Sequence, residues 1–190
     1  DKHRRVDDTP YGGGKGMLMM APPIYNCYTA ILRMQAEEGF VPTKRHVIYL
    51  SPTGKVLNQN RAAELARDYD NLILLCGHYE GVDRRIVDEI VDEEISIGDF
   101  VLTGGEMPAA IMTDAIVRLL PGAIGDETSA LSDSFQDGLL EPGVYTRPAE
   151  YKGWKVPDIL LSGHQAKIEE WLYEESIRHT RERRPDLLNE

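Results

Sequence analysis

The sequence is poor in cysteine, in long apolar runs and in positive charge, and each shortage excludes a class of protein. Cys27 and Cys76 are the only cysteines among 190 residues, which leaves no disulfide framework and no cysteine zinc set. No run approaches the roughly 18 apolar residues that a membrane span requires. The first residues, DKHRRVDD, are too charged for a secretory signal peptide. We therefore expect a cytoplasmic protein with no membrane partner and no metal site of its own.

Acidic residues outnumber lysine and arginine, 32 against 21, and the formal net charge is −11. This balance disfavours broad, nonspecific nucleic-acid binding, because neutralising phosphates requires clustered cations. Two local clusters remain, residues 2–5 (KHRR) and four arginines near the end of the chain, Arg178, Arg181, Arg183 and Arg184. Their charge alone leaves both a local RNA contact and an ordinary solvated surface open.

Short apolar segments alternate with amphipathic patterns over the first two thirds of the chain. Apolar runs at 47–50, 72–76 and 95–102 predict buried strands. Apolar residues spaced by three and four predict a helix that begins at Pro23 and further helices over 58–69, 83–93 and 108–120. This order is typical of an α/β fold in which helices flank a parallel sheet.

A glycine-containing segment follows or interrupts each predicted strand. These segments are residues 51–54 (SPTG), residues 77–81 (GHYEG), and the turns Gly98-Asp99 and Gly104-Gly105. Ligands of parallel sheets collect at the carboxyl ends of the strands, where exposed backbone N–H and C=O groups can bind the edges of a flat heteroaromatic ring. None of the segments has the G-x-G-x-x-G pattern, which disfavours an ordinary dinucleotide site. We expect a different nucleotide-like ligand.

A further glycine-rich segment, residues 7–16 (DDTPYGGGKG), lies near the start of the chain. It is not a phosphate-binding P-loop, because Thr9 and Gly16 stand where that motif needs a glycine and a serine or threonine. A binding loop, with Asp7 and Asp8 as acceptors, and a solvated turn are equally compatible with the pattern.

The composition changes after residue 120. Residues 121–138 are rich in Gly, Ser, Asp and Thr, which is typical of a flexible linker. Ser162 with Gln165 predicts a capping box at the start of a last helix. The predicted organisation is a first domain at 1–124, a linker at 125–139 and a small C-terminal helical domain at 140–190.

Together these motifs resemble the bacterial tRNA (guanine-N(1)-)-methyltransferase family of the SPOUT superfamily. They follow the family's order and spacing almost from end to end: VDDTPYGGGKGM (6–17), YLSPTG (49–54), LCGHYEGVD (75–83), EISIGDFVLTGGEMP (94–108), SDSF (132–135), YTRP (145–148), LLSGHQAKI (160–168) and RRPDLL (183–188). The resemblance implies that the sheet domain contains a deep trefoil knot, which composition could not predict because knots are nearly absent among folds.

The resemblance also implies a methyl donor, S-adenosyl-L-methionine, bound in the knot loops. The residues it assigns to the donor are Tyr49, Leu50, Ser51, Pro52, Gly77, Tyr79, Glu80, Gly81, Ser96, Ile97, Gly98, Asp99, Phe100, Leu102, Gly104, Gly105 and Pro108. Phe100 stands where family members often carry tyrosine, which should matter little for an apolar contact. Those assigned to the RNA substrate are Asp7, Gly13 and Ser134.

The implied reaction is methyl transfer to N1 of the guanosine immediately 3′ of the anticodon, position 37 of a tRNA. Guanine N1 is a poor nucleophile until a base removes its proton, and a nearby cation can stabilise the negative charge that spreads to O6. The family pattern assigns Asp133, in the linker, as the base and Arg118 as its orienting partner or as the cation beside O6. Ordinary structural interpretations remain: Arg118 complements the dipole at a helix end, and Asp133 is a plain linker acid.

By resemblance the protein is a homodimer that binds the tRNA anticodon stem-loop across both subunits, so that basic clusters of two acidic chains converge on one RNA. The resemblance is compatible with Mg²⁺ dependence without a dedicated protein site. It implies a first strand ahead of the first motif and terminal helices beyond the last, and we expect a trimmed chain.

A SPOUT protein that binds RNA without catalysis is disfavoured by Asp133, Arg118 and the donor loops. A methyltransferase acting on ribose 2′-hydroxyls or rRNA is disfavoured by the SDSF and YGGG motifs.

Overall fold

The computed structural model describes residues 5–123, 134–135 and 137–188. The chain divides into two compact units, Asp1–Ala123 and Ile124–Glu190. Each unit is described by itself below.

A three-stranded parallel sheet forms the centre of the first unit. Its strands are β3 (Arg45–Val56), β4 (Asn71–Cys76) and β5 (Glu93–Ser96), in the order β4-β3-β5. β3 lies in the middle and supplies the most deeply buried segment, residues 46–51. The predicted parallel sheet flanked by helices is therefore present.

Within residues 5–123, four helices cover the two faces of this sheet: α1 (Ala21–Glu37), α2 (Gln59–Asp68), α3 (Arg84–Ile90) and α4 (Glu106–Val117). The apolar faces of α2 and α4 pack with Ile48, Leu50 and Ile95 on one side. Those of α1 and α3 pack with Tyr49 on the other. Since successive strand residues point to opposite faces, β3 contributes to both cores.

Two helices are capped by the side chain of the residue just before them. The side chain of Asn58 accepts a hydrogen bond from the Arg61 N–H, 2.8 Å, at the start of α2. Asp83 does the same for Arg85, 3.0 Å, at the start of α3. Such caps satisfy donors that have no partner within the helix.

Two strand predictions need correction. The predicted turn at 51–54 is an irregular part of β3: Leu50 and Lys55 both pair with Ile95, so the residues between them leave the ladder. The predicted strand 95–102 ends at Ser96, and Phe100, Val101 and Leu102 are exposed. The Ser96 Oγ accepts a hydrogen bond from the Gly98 N–H at 3.1 Å. This bond closes a turn directly after β5, so the chain leaves the sheet there.

A short antiparallel pair, β1 (Asp7–Asp8) and β2 (Leu18–Met19), flanks the glycine-rich segment. β2 also contacts the end of the loop after β4: the Met19 N–H donates to the Gly81 carbonyl and the Asp83 N–H donates to the Met19 carbonyl, both at 3.0 Å. The glycine-rich segment is thereby anchored beside residues 77–81.

The second unit is small and contains a hairpin, β6 (Glu150–Tyr151) with β7 (Trp154–Lys155), the short helix α5 (Asp158–Leu161) and the long helix α6 (Gln165–Arg183), followed by a 3-10 turn at Pro185–Leu188. Thr180, fully buried, accepts from the Leu140 N–H at 2.8 Å and donates to the Ser176 carbonyl at 2.7 Å. The predicted capping box is wrong: α6 begins after His164, which makes no side-chain cap, and the Ser162 Oγ accepts from the His164 N–H instead.

Among the described residues, none of the helices combines the length and the apolar character that crossing a bilayer demands.

Candidate active site

Three loops of the first unit surround one cavity of about 340 Å³. They are the irregular part of β3, the loop after β4 and the segment between β5 and α4. The lining residues are Tyr49, Leu50, Ser51, Pro52, Thr53, Gly77, His78, Tyr79, Glu80, Gly81, Ile95, Ser96, Ile97, Gly98, Phe100, Val101, Leu102, Thr103, Gly104, Gly105 and Pro108. Every residue that the sequence assigned to the donor lines this cavity, except Asp99.

Tyr49 forms the inner wall of the cavity. Burial, and secondarily the nearby Glu94 carboxylate, raise the pKa of the Tyr49 hydroxyl, while a hydrogen bond from the Val82 backbone lowers it in part. The phenol is therefore neutral at physiological pH and can donate or accept. The Glu94 carboxylate itself accepts a hydrogen bond from the Thr53 hydroxyl at 2.9 Å. The polar side chains beside Tyr49 are therefore hydrogen-bonded to each other.

The loop after β4 is a tight turn that places Tyr79 in the left-handed region, with φ of 58°. The Gly81 N–H donates to the His78 carbonyl at 3.0 Å and closes the turn. A bulky residue in this conformation costs of the order of 1–3 kcal/mol and persists only where its surroundings hold it. Here β2 does so through the Met19 contacts, and the preceding residue Met17 adds a hydrogen bond, its carbonyl accepting from the Glu80 N–H at 3.0 Å.

Gly105, at the start of α4, brings the third loop against the second. Its N–H donates to the Gly77 carbonyl at 2.9 Å. A Cβ added at Gly105 would stand 2.8 Å from the Cα of Cys76, which is backbone and cannot move aside. Glycine is therefore required by this close approach.

His78 and Glu106 bridge the same two loops through their side chains. The His78 Nε2 lies 2.5 Å from the Glu106 Oε1, and this bond holds the pKa of the Glu106 carboxyl below its ordinary value. The pair passes over Gly104, where an added Cβ would lie 2.7 Å from the His78 ring and 2.5 Å from the Glu106 carboxylate. Two cavity walls are thus joined by backbone and by side chains.

The cavity presents mostly backbone polar groups and apolar side chains, and its volume lies in the range of small-molecule sites, about 300–1,000 Å³. Within the described part of the chain, no group of three or more His, Cys, Asp or Glu side chains could hold a metal ion. The geometry suits a flat, polar-edged organic ligand.

Comparisons with a protein family and with individual curated proteins lead to the same family. The sequence model of the family described as tRNA (Guanine-1)-methyltransferase TrmD matches residues 1–190. This chain belongs to the TrmD family. Similar curated proteins are each named tRNA (guanine-N(1)-)-methyltransferase. One from Ruminiclostridium cellulolyticum is 55% identical over 189 residues, covering 100% of this chain and 78% of that protein. One from Bacteroides thetaiotaomicron is 56% identical, covering 100% and 81%. One from Shouchella clausii is 53% identical, covering 99% and 74%.

Family membership confirms the resemblance drawn from the motifs, and the remaining predicted residues lie as follows. Arg118 caps the carboxyl end of α4, its N–H donating to the Asp114 carbonyl at 3.2 Å, and does not line the cavity. Asp133 lies outside the described residues. Ser134 belongs to the second unit, where its Oγ accepts from the Glu141 N–H at 2.9 Å. Asp7 pairs with Met19 in the β1–β2 ladder.

Gly13 is exposed in the glycine-rich segment and does not line the cavity. That segment nevertheless reaches the site at its other end, because a Cβ on Gly16 would stand 2.6 Å from the Glu80 side chain. The glycine-rich segment therefore adjoins the cavity at Glu80, in the loop after β4.

Sequence reasoning missed five lining residues: Thr53, His78, Ile95, Val101 and Thr103. A signal existed for His78, which, like Glu106, directly follows a glycine of a strand-end motif. The pairing itself joins residues 28 positions apart, and only the fold brings them together.

Proposed function

We propose that this chain transfers the methyl group of S-adenosyl-L-methionine to N1 of the guanosine immediately 3′ of a tRNA anticodon, position 37. The observation that carries the proposal is the cavity in which three glycine-containing loops of a TrmD-family chain meet at the strand ends. The family name supplies the reaction class. The position on the tRNA and the roles of single residues are parts of the proposal.

The cavity is the proposed donor site. Its edges offer backbone N–H and C=O groups to the donor, those around Leu50, Gly77, Ile97, Leu102 and Gly104. Glu80 is the proposed partner of the ribose hydroxyls. Asp99, although it does not line the cavity, stays in the proposed set because it directly follows Gly98 in the loop that does.

Asp133 is the proposed general base. Its carboxylate takes the proton from guanine N1, the freed lone pair attacks the methyl carbon, and the carbon–sulfur bond breaks with its electron pair remaining on sulfur. Arg118 is proposed to orient Asp133 or to stabilise the charge on O6. A well-placed base contributes about 10²–10⁴-fold, and a linker can order over the substrate and exclude water.

The second unit is proposed as the tRNA-binding domain, with Asp7, Gly13 and Ser134 as further substrate contacts. Family resemblance supports a homodimer whose active site is shared between subunits, a deep trefoil knot in the sheet domain and a cytoplasmic location. A dependence on Mg²⁺ without a dedicated protein site completes the proposal.

A methylation assay on tRNA transcripts tests it. Transcripts with guanosine after the anticodon should accept a labelled methyl group that mass spectrometry places on N1, and otherwise identical transcripts with adenosine there should not. Calorimetry with S-adenosylmethionine, without RNA, tests the donor site separately. Donor binding without methylation of any tRNA would point to a SPOUT protein that has lost catalysis.

A further inference from the structure

A second cavity, of about 320 Å³, lies in the C-terminal unit. Its lining residues are Tyr145, Thr146, Arg147, Ala149, Val156, Leu160 and Leu161. The walls are of three kinds: the aromatic ring of Tyr145, the cation of Arg147 and the aliphatic side chains of α5. Nothing in the proposed methyl transfer uses this cavity.

A β-hairpin borders the cavity. Ala149 and Val156, both in the cavity wall, are joined by a hydrogen bond from the Val156 N–H to the Ala149 carbonyl, 2.9 Å. At the tip of the hairpin, Tyr151 and Trp154 are 56% and 71% exposed, and their ring centroids lie 6.1 Å apart. Adjacent exposed aromatic rings offer faces on which a flat ring can stack.

The charge of this segment differs from that of the whole chain. Residues 144–157 carry three cations, Arg147, Lys152 and Lys155, against one carboxylate, Glu150, in a protein whose net charge is −11. Among the residues that the structure describes, Arg147 forms no ion pair. By contrast, Arg178 on α6 is bound by two carboxylates, those of Glu175 and Glu182.

These observations together fit single-stranded RNA. Unpaired bases of RNA loops stack on aromatic rings and on guanidinium planes, while nearby cations meet the phosphates. An acidic peptide would be attracted by the cations but would have no use for a ring-sized cavity beside exposed aromatics. The cavity has room for one base, and the hairpin tip offers a face for a neighbouring one.

We propose that this cavity, between Arg147 and the Tyr151–Trp154 hairpin, seats an unstacked nucleobase of the tRNA substrate. The Arg147 guanidinium and the Tyr145 ring contact the base, and Lys152 and Lys155 contact the adjoining phosphates. The inference rests on the proposed function, since it names tRNA as the ligand, but it adds an RNA subsite separate from the donor cavity.

The test compares Arg147→Met and Tyr145→Leu with the control Lys167→Met, which removes one exposed cation from α6. Equilibrium binding of full-length tRNA should weaken about tenfold in the first two variants and less than twofold in the control. Donor binding by calorimetry and the thermal midpoint should not change in any of them. Arg147→Lys, which keeps the charge but loses the planar fork, should fall between wild type and Arg147→Met.

Trp154 provides a direct signal. In a Trp171→Phe background, Trp154 is the only tryptophan, and tRNA should quench its emission. Ultraviolet cross-linking of the same protein to tRNA should attach a nucleotide to residues 145–161. Polyglutamate, an acidic peptide, should not compete with tRNA in either measurement.

Each failure is recognisable. If wild type methylates tRNA while both cavity variants bind tRNA as tightly as it does, the subsite is wrong and the proposed function stands. If wild type neither methylates nor binds tRNA, the proposed function fails and the RNA subsite fails with it. If polyglutamate quenches Trp154 and tRNA does not, the ligand is an acidic peptide and the inference is overturned.

Discussion

Gly105 and Cys76 approach so closely that no side chain fits between them: a Cβ on Gly105 would lie 2.8 Å from the Cα of Cys76. This contact, with the bond from the Gly105 N–H to the Gly77 carbonyl, fixes the distance between two walls of the proposed donor cavity.

Gly105→Ala should therefore damage the cavity through steric pressure alone, because Gly105 has φ of −83°, which alanine adopts without strain. We expect a loss of roughly 1–3 kcal/mol in the free energy of unfolding, as for other overpacked sites, and weaker donor binding. Thermal melts and calorimetry measure the two effects. Gly143→Ala, whose Cβ would meet its nearest neighbour at 3.7 Å, is the control and should melt like wild type.

The His78–Glu106 pair should position the donor loops without touching the reacting atoms. Glu106→Gln and His78→Gln should each raise the KM for S-adenosylmethionine severalfold and leave kcat largely unchanged. The double variant should be no worse than the worse of the two single variants, because both changes weaken the same charged contact. Glu89→Gln, an exposed charge change on α3, controls for net charge. Equal losses in kcat for both variants would contradict a positioning role.

Glu93 should stabilise the fold in a pH-dependent way. Burial raises its pKa, but hydrogen bonds from Arg61 (Nη2–Oε2, 2.6 Å) and His46 (3.0 Å) outweigh burial and hold it below the ordinary 4.5. A lowered folded-state pKa means that the stabilisation is present above pH 4.5 and is lost as the pH falls through the folded value. Glu93→Gln should cost roughly 1–3 kcal/mol at pH 7.

The measurement is denaturant unfolding of wild type and variant between pH 7 and pH 3. The two curves should converge at the acid end. Glu64→Gln is the matched control, since Glu64 pairs with the same Arg61 but is 45% exposed, and exposed pairs contribute about 0–1 kcal/mol. A constant gap between wild type and Glu93→Gln at every pH would contradict the assignment.

Asp133→Ala should reduce methyl transfer by about 10²–10⁴-fold, the usual contribution of a general base, while S-adenosylmethionine still binds. Single-turnover assays with tRNA and calorimetry without RNA separate the two. Asp126→Ala, a second acid of the predicted linker, should retain activity. Turnover in Asp133→Ala at the wild-type rate would remove the base from the mechanism.

Arg118→Ala should lower turnover far more than it lowers the thermal midpoint, if the guanidinium serves the reaction. A melt measured beside the activity assay decides between this role and simple complementation of the α4 dipole. Parallel losses in both measurements would favour the dipole.

The sequence predicted the elements whose signal is local. Leu72–Cys76 is continuously apolar and lies in β4, and the helix predicted over 58–69 from its apolar spacing is α2. It failed where the outcome depends on a distant partner. Residues 51–54 looked like a turn, because the sequence does not reveal that Leu50 and Lys55 on either side of them both pair with Ile95 on β5.

Apolar composition was misleading in one place. Phe100, Val101 and Leu102 looked like strand residues, yet in the part of the chain that the structure describes no strand pairs with them after the turn at Gly98, and they line the cavity with exposed side chains. The glycine-containing segments at the strand ends were predicted from local sequence, and they line one cavity. Their binding of a methyl donor stays a prediction. The bond between His78 and Glu106 required the folded chain.

The central strand imposes a rule on how sequences of this kind can diverge. Since Ile48 and Leu50 serve one helical layer and Tyr49 the other, inserting or deleting a single residue within residues 46–50 would exchange the occupants of the two layers. Substitutions there can be absorbed one at a time, whereas a change of length cannot. Homologues should therefore vary in the identity of these five positions but never in their number.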